Sequence, residues 1–388
     1  MLDDNNLRMK IGIITIHNSP SYGGSLQSYA LYKYLYDLGY EVEIIDLYRP
    51  THEGYKSSLR HQHNRTNVIE KIKNIVKALL RIKAHKQTNK GYNKNFDEFN
   101  SLIKLSRSFD GVDALYANPP VYDVYITGSD QVWNPIQPYL IEPYFLTFVK
   151  DKNALKVSYA ASVGISRLLP KEEKLFKLWI EQYDSVSVRE EELKTYLETF
   201  VNKKIARVAD PSFLLDRRVW NDNSVNEAPS TPYILLFELA HDEDLVAFCK
   251  RIAQQAGIPL IALGQNEPEC TNNSYIVVNN AGPRQFINYI GNAEMVITDS
   301  FHGMVFSIIM EAKNFYAYIA PGNVKGSRIT DLLKIFRIDE HLLNPDLKQS
   351  WLELSNNKLD KTSLDQIYLR EQKSSRDFLI NSLKGNER

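Results

Sequence analysis

Cysteine is scarce in this sequence. Cys249 and Cys270 are the two among 388 residues, too few for a disulfide framework and without the paired spacing of a zinc site, so a reducing cytoplasm is the simpler setting. An excess of charge is missing as well: 47 Lys and Arg balance 47 Asp and Glu. No global field therefore favours nucleic acid, and an anionic partner has to be met by a local cluster. No run reaches the roughly 18 apolar residues of a membrane span. The first apolar run, Ile11 to Ile16, is shorter than a signal-peptide core and sits where a first buried strand belongs. His61 and His63 form a loop-like pair without partners nearby, so no metal site is expected. No short-period repeat is present.

What the sequence does contain is a repeated alternation of short apolar runs and helical spacing, over a length that suits two ordinary domains. "KIGIITI", "GSLQSYALYKYLYDLG" and "EVEIID" read as a strand, a helix stopped by Gly39 and a second strand, which makes a βαβ unit and a parallel sheet. The loop "HNSPSYGGS" between the first two places two glycines where the helix begins, close to N–H groups and a partial positive charge. Residues 51–115 interrupt the rhythm as a basic insertion. Within it, about 67–84 is amphipathic, with Lys71, Lys73, Lys77 and Arg81 opposite an apolar stripe. The alternation resumes at "YDVYITGSDQVWNP" and runs to "VADPSFLL", each apolar run ending in small or polar residues.

The expected organisation is an α/β fold of two Rossmann-like, doubly wound domains facing a cleft. The first covers 1–220, "NDNSVNEAPSTP" at 221–232 is the linker, the second covers 233–345, and 346–388 is a polar helical segment packing back.

Taken in order, "HNSPSYGGSLQSYAL", "YITGSDQVWNP", "KVSYAASVG", "SVREEE", "VADPSFLL", "ITDSFHGMVFSIIMEA" and "GSRITDLL" make the chain similar to the polysaccharide pyruvyl transferases, over about residues 10 to 340. That resemblance implies a glycosyltransferase-B-like architecture, with a donor side in the second domain and an acceptor side in the first. It implies transfer of the enolpyruvyl skeleton of phosphoenolpyruvate to two hydroxyls of a sugar, making a pyruvate ketal and releasing phosphate. No cofactor is implied beyond phosphoenolpyruvate as donor substrate. The implied acceptors are sugars of cell-surface polysaccharides such as capsule or exopolysaccharide, often carried on a lipid diphosphate. The implied place is the cytoplasm, where the basic stripe is either a contact with the inner membrane face or a solvated helix face.

The donor carries a carboxylate and a phosphate, which call for fixed cations and N–H donors. Ketal formation calls for protonation of a methylene carbon and deprotonation of hydroxyls. His302 is the first candidate for proton transfer. If Ser300 is the N-cap, its ring lies in the first helical turn, where the positive helix end disfavours imidazolium. Gly303 would let donor oxygens reach the backbone; the alternative is a capped helix start whose histidine fills space. Members of the family often carry an arginine at the position of Ser300, so Arg328, at another helix start, is the candidate replacement, or else a surface arginine. Arg189 matches the family position taken to bind donor, and its alternative is an ion pair with Glu190 or Glu191.

On the acceptor side, Asp130 could hold a hydroxyl or act as base, with Gln131 and Asn134 beside it and Trp133 as a sugar platform. The alternative is a capping turn with Trp133 in the core. Tyr22, Gly23, Gly24 and Ser25 offer a further acceptor or phosphate contact, although their loop lacks the full dinucleotide glycine spacing. Asp299 either orients His302, competes with it as a proton donor, or stabilises the helix start. Two other functions fit the same architecture: a glycosyltransferase using a sugar nucleotide, and a non-catalytic glycan-binding relative.

Overall fold

The computed structural model describes residues 9–17, 21–48, 94–137, 139–264, 271–272, 274–322 and 327–384. The basic stripe of 67–84, His61, His63, Cys270 and most of the 51–115 insertion lie outside the described residues.

The chain divides into two compact units, each built on one sheet. In the first, β1 (Lys10–Ile14), β2 (Glu41–Ile44), β3 (Val124–Thr127), β4 (Leu155–Ala161), β5 (Ser185–Val188) and β6 (Ile205–Arg207) lie in the order β2-β1-β3-β4-β5-β6. Every pairing is parallel. In the second, β7 (Ile234–Phe237), β8 (Leu260–Leu263), β9 (Thr271–Asn272), β10 (Tyr275–Val278), β11 (Met295–Thr298) and β12 (Phe315–Ala317) lie in the order β12-β11-β7-β8-β10-β9. That sheet is parallel apart from the short antiparallel strand β9.

The strands explain why the apolar runs were uninterrupted. "VYIT", "ILLF", "LIAL" and "MVIT" are buried at all four positions, as strands covered by helices on both faces must be. Each sheet also reverses direction once. The chain leaves β1 toward β2 and returns to β3 on the other side, and it leaves β7 toward β8 and returns to β11 on the other side. These two reversals are topological switch points, where the loops after neighbouring strands part and leave room for a ligand.

The boundary between the units falls between Leu215 and Asp216, ahead of the segment 221–232 that composition marks as a linker. Part of that segment is fixed to the second unit, since Asn288 Oδ1 accepts the N–H groups of Glu227 and Ala228. The last helix, Lys361–Leu383, belongs to the second unit up to Arg370 and to the first from Glu371. Its part in the first unit is tied down by polar contacts: Glu371 pairs with Arg207, Ser375 Oγ accepts from Ala209 N at 2.9 Å, and Gln372 donates to Phe213 O at 2.9 Å.

Candidate functional site

In the second unit the chain leaves β11 through Asp299 and Ser300 into the helix Phe301–Ile309. Ser300 is the N-cap, in extended backbone, and its Oγ accepts from Gly303 N at 3.4 Å. Its own N–H donates to Thr298 Oγ1 at 3.0 Å. His302 therefore sits in the first turn, 8 % exposed, with its ring edge-on to Phe301 at 5.2 Å. Arg328, in the first turn of the helix Ser327–Phe336, brings its guanidinium carbon to 5.9 Å from the centre of the same Phe301 ring. The structure thus gathers His302 and Arg328 around one aromatic ring, beside the cap Ser300.

Two readings at this edge need correction. A Cβ on Gly303 would stand 2.4 Å from Thr298 Oγ1, so the space the glycine leaves is occupied by this chain's own threonine and is not open to donor oxygens. Asp299 does not face the histidine through its hydrogen bonds. Oδ1 accepts Leu239 N at 2.7 Å and Oδ2 accepts Ala240 N at 2.9 Å, which joins the loop after β7 to the end of β11. Burial raises the pKa of Asp299 above the ordinary value, with those two N–H groups pulling the other way.

In the first unit Tyr22, Gly23, Gly24 and Ser25 form the opening turn of the helix Tyr22–Asp37, all buried, with Ser21 as N-cap. The residue that binds this turn to the switch point is Gln27, which the sequence reading did not single out. Its Nε2 donates to Thr15 Oγ1 at 3.0 Å and to Gly24 O at 3.2 Å, and its Oε1 accepts Ser129 N at 3.2 Å. His17 was also missed. Its Nε2 lies 3.1 Å from Asp46 Oδ1 and its Nδ1 lies 3.3 Å from Thr15 O, so the ends of β1 and β2 are clasped by an imidazole and a carboxylate. The hydrogen bond from His17 is the main reason the Asp46 carboxyl is held below its ordinary range. No spacing rule pairs residues this far apart, and only their shared position just past neighbouring parallel strands could have suggested it.

After β3, Asp130 adopts a left-handed backbone, φ +69°, while its carbonyl accepts Ser162 N at 3.0 Å. Gln131 and Asn134 hold each other, Asn134 Nδ2 donating to Gln131 Oε1 at 2.8 Å. Trp133 is in the core: it is fully buried, its ring stacks on Phe145 at 4.8 Å, and its N–H donates to Tyr144 O at 2.9 Å. No ring face is left for a sugar, and the acceptor reading of Trp133 is set aside for that reason.

Arg189, just past β5, realises the ion-pair alternative and extends it. With its side chain 2 % exposed, Nη1 donates to Asp210 Oδ2 at 2.9 Å, Nε donates to Glu190 Oε1 at 3.1 Å, and Nη2 lies 3.6 Å from Asp130 Oδ1. Burial works against the guanidinium charge, but Glu190, Asp210 and Asp130 outweigh it and raise the pKa of Arg189. Glu191, the other predicted partner, pairs instead with Lys194 and Arg207. Arg189 and Asp130 are brought together here; Glu190, expected only as an ion-pair partner, and Asp210, which the sequence reading left without chemistry, complete the cluster.

Among the described residues no group of His, Cys, Asp and Glu is arranged to hold a metal ion, and no helix is long and apolar enough to cross a membrane.

Comparison with solved structures places the fold. UGT89C1 of Arabidopsis thaliana, complexed with UDP-L-rhamnose, superposes with a TM-score of 0.53 at 12 % identity, over 96 % of this chain and 98 % of that one. The glycotransferase of kitacinnamycin gives 0.52 at 12 % identity, over 98 % and 100 %. The UDP-GlcNAc 2-epimerase of Methanocaldococcus jannaschii, in complex with UDP-GlcNAc and UDP, gives 0.51 at 14 % identity, over 94 % and 100 %. At such identities the likeness concerns architecture alone: two parallel α/β sheets of the glycosyltransferase-B type. A search of curated protein sequences finds no match. The family description "polysaccharide pyruvyl transferase" matches residues 22–316, from the first helix to β12 and across Asp130, Arg189 and His302, so the chain belongs to the polysaccharide pyruvyl transferase family.

Proposed function

We propose that the protein moves the enolpyruvyl group of phosphoenolpyruvate onto two hydroxyls of a sugar, forming a pyruvate ketal during cell-surface polysaccharide biosynthesis. The observation that carries this reading is His302, held in the first turn of a Ser300-capped helix beside Phe301 and Arg328, in a chain matched by the family over residues 22–316. In the second unit, His302 transfers the proton that converts the donor methylene to methyl, and Arg328 supplies fixed positive charge for the donor's anionic groups. In the first unit, Asp130 receives an acceptor hydroxyl. Arg189 is anchored there through Nε and Nη1, and Nη2 is the atom through which it would also meet a donor carboxylate. The scarce cysteines favour a cytoplasmic setting, and a lipid-diphosphate carrier is the acceptor form we assign to the basic segment 67–84.

The test is to incubate the protein with phosphoenolpyruvate and with lipid-linked or nucleotide-linked galactose, then follow phosphate release and the mass gain of one pyruvyl group. Transfer that is lost in His302→Ala, with the fold intact, supports the reading. Thermal stabilisation by a sugar nucleotide but not by phosphoenolpyruvate would replace it with glycosyl transfer. Glycan binding without phosphate release from any acceptor would make the protein a non-catalytic relative.

A further inference from the structure

The three carboxylates around Arg189 are not equivalent. Asp210 is saturated: Oδ2 takes the guanidinium, while Oδ1 accepts both Ser212 N at 3.0 Å and Ser212 Oγ at 2.8 Å. Glu190 is half engaged. Its Oε1 accepts Ser162 Oγ at 2.9 Å and Arg189 Nε at 3.1 Å. Its Oε2 is buried and accepts no hydrogen bond from the described residues. Asp130 lies beyond hydrogen-bond distance of Nη2, at 3.6 Å, and its side chain is 18 % exposed, so the cluster meets solvent on that side.

Glu190 occupies the N-cap of the helix Glu191–Leu197 without capping it, and the residue is 7 % exposed. Burying a carboxylate oxygen without a partner is costly, and a fold that only needed to neutralise Arg189 would gain nothing by keeping it. A hydroxyl donor at Oε2 would offset that cost.

We propose that Glu190 and Asp130 together form the diol site of the acceptor sugar, each carboxylate receiving one of the two hydroxyls that enter the ketal, with Arg189 fixing the pair. This rests on the ketal-forming reading above and deepens it. The reaction needs two such acceptors. As the first hydroxyl oxygen bonds to the donor's central carbon, its O–H bond breaks and its proton goes to a carboxylate, while the donor methylene gains a proton and becomes methyl. When the second hydroxyl oxygen bonds to the same carbon, the carbon–oxygen bond to phosphate breaks, and the second proton leaves by way of the other carboxylate with the phosphate. Two hydroxyl protons are given up and two are taken, so no oxidant, reductant or net proton is required.

The test uses the full chain, wild type and the isosteric variants Glu190→Gln and Asp130→Asn. The probes are methyl galactoside and its monodeoxy analogues, with binding read by saturation-transfer NMR and calorimetry. Donor binding is read separately with phosphoenolpyruvate, and melting temperature checks the fold. Wild type should bind the parent glycoside roughly 10- to 100-fold more tightly than the analogue lacking one hydroxyl of the pair, the scale of a hydrogen bond to a charged group. In Glu190→Gln that preference should shrink for one hydroxyl, and in Asp130→Asn for the other. Should Glu190→Gln fold poorly, the part-exposed Asp130→Asn carries the test alone.

Wild-type discrimination retained in a folded variant would overturn the proposal, as would a wild type that prefers no hydroxyl pair. If the hydroxyl preference depends on Glu190 but no pyruvyl transfer occurs, the diol site stands and the donor reading fails. If transfer proceeds equally in wild type and both variants, the donor reading stands and the diol site fails.

Discussion

Two helices of this protein begin in the same way and end up in different chemistry. Ser21 and Ser300 each cap a helix that follows a strand at a switch point, and each accepts an N–H from the glycine three residues on, Gly24 or Gly303, at 3.4 Å. Between cap and glycine the first unit has Tyr22 and Gly23, the second Phe301 and His302. The sheet edges around them differ too. The first carries Arg189 among Asp130, Glu190 and Asp210, with the clasp of His17 and Asp46 farther along. In the second, Asp299 and Glu238 are turned onto backbone N–H groups. The side chains at that helix start are an imidazole and a nearby guanidinium. The same backbone device thus serves both units, and the residue placed between cap and glycine decides what each start can do.

The comparison is broken most directly at His302. His302→Asn keeps a residue tolerated in a first helical turn but removes the ring, and kcat for pyruvyl transfer should fall by about 10²- to 10⁴-fold, with the melting temperature close to wild type. Transfer at the wild-type rate would mean that the second helix start, like the first, is only structural. The glycines come next. Gly303→Ala forces a methyl to within 2.4 Å of Thr298 Oγ1, an overpacking that should cost about 1–3 kcal/mol in urea unfolding. Gly24→Ala meets nothing nearer than Ile16 O at 3.4 Å, and the gain in helix propensity should leave stability unchanged or higher by up to about 1 kcal/mol. Equal losses at both positions would contradict the difference in packing between the two helix starts.

Those glycines also show what a sequence can convey. The strands, the capped helix at Ser300 and the division into two α/β units were legible, because apolar runs bounded by small polar residues and a serine before a helical run depend on neighbours within a few positions. Contacts made across strands were not. Gln27 with Ser129, His17 with Asp46, and Glu190 with Ser162 join residues between 28 and 102 positions apart, and only the strand order brings them together. Trp133 was ambiguous for a different reason: an aromatic residue after a strand reads the same whether it stacks on a sugar or, as here, on Phe145. Gly303 was legible as a close approach, but the sequence did not say that the approaching atoms belong to Thr298.

Acid should separate the two units. His341, fully buried in the second, donates from Nδ1 to Phe315 O at 2.9 Å, while its Nε2 meets no hydrogen-bond partner among the described residues. Burial lowers its pKa from the ordinary 6.5. The unfolded chain therefore binds the proton first, and the stability His341 contributes is present above 6.5 and lost as pH falls toward its folded value. In the first unit, the hydrogen bond from His17 lowers Asp46 from 3.8, so its contribution is present above that value and lost only below it. Amide exchange followed from pH 7 downward should loosen β12 before β1 and β2. His341→Asn should remove the earlier loss, and β12 still loosening first in that variant, or both sheets loosening together in the wild type, would contradict the assignment.

The smallest effect is expected at the caps themselves. The Ser300 bond to Gly303 N is long, 3.4 Å, and the backbone at Ser300 is held independently by its N–H to Thr298 Oγ1 at 3.0 Å. Ser300→Ala should then cost only about 0.5 kcal/mol, at the low end for a lost N-cap. The Ser21→Ala variant, with a cap bond of the same length, should match it. Activity separates the two where stability does not. If Ser300 acts only as a cap, its alanine variant keeps kcat and donor KM near wild type, because His302 stays in its turn. If KM for phosphoenolpyruvate rises while stability stays within that small loss, the Ser300 hydroxyl touches the donor, and the second helix start binds as well as positions.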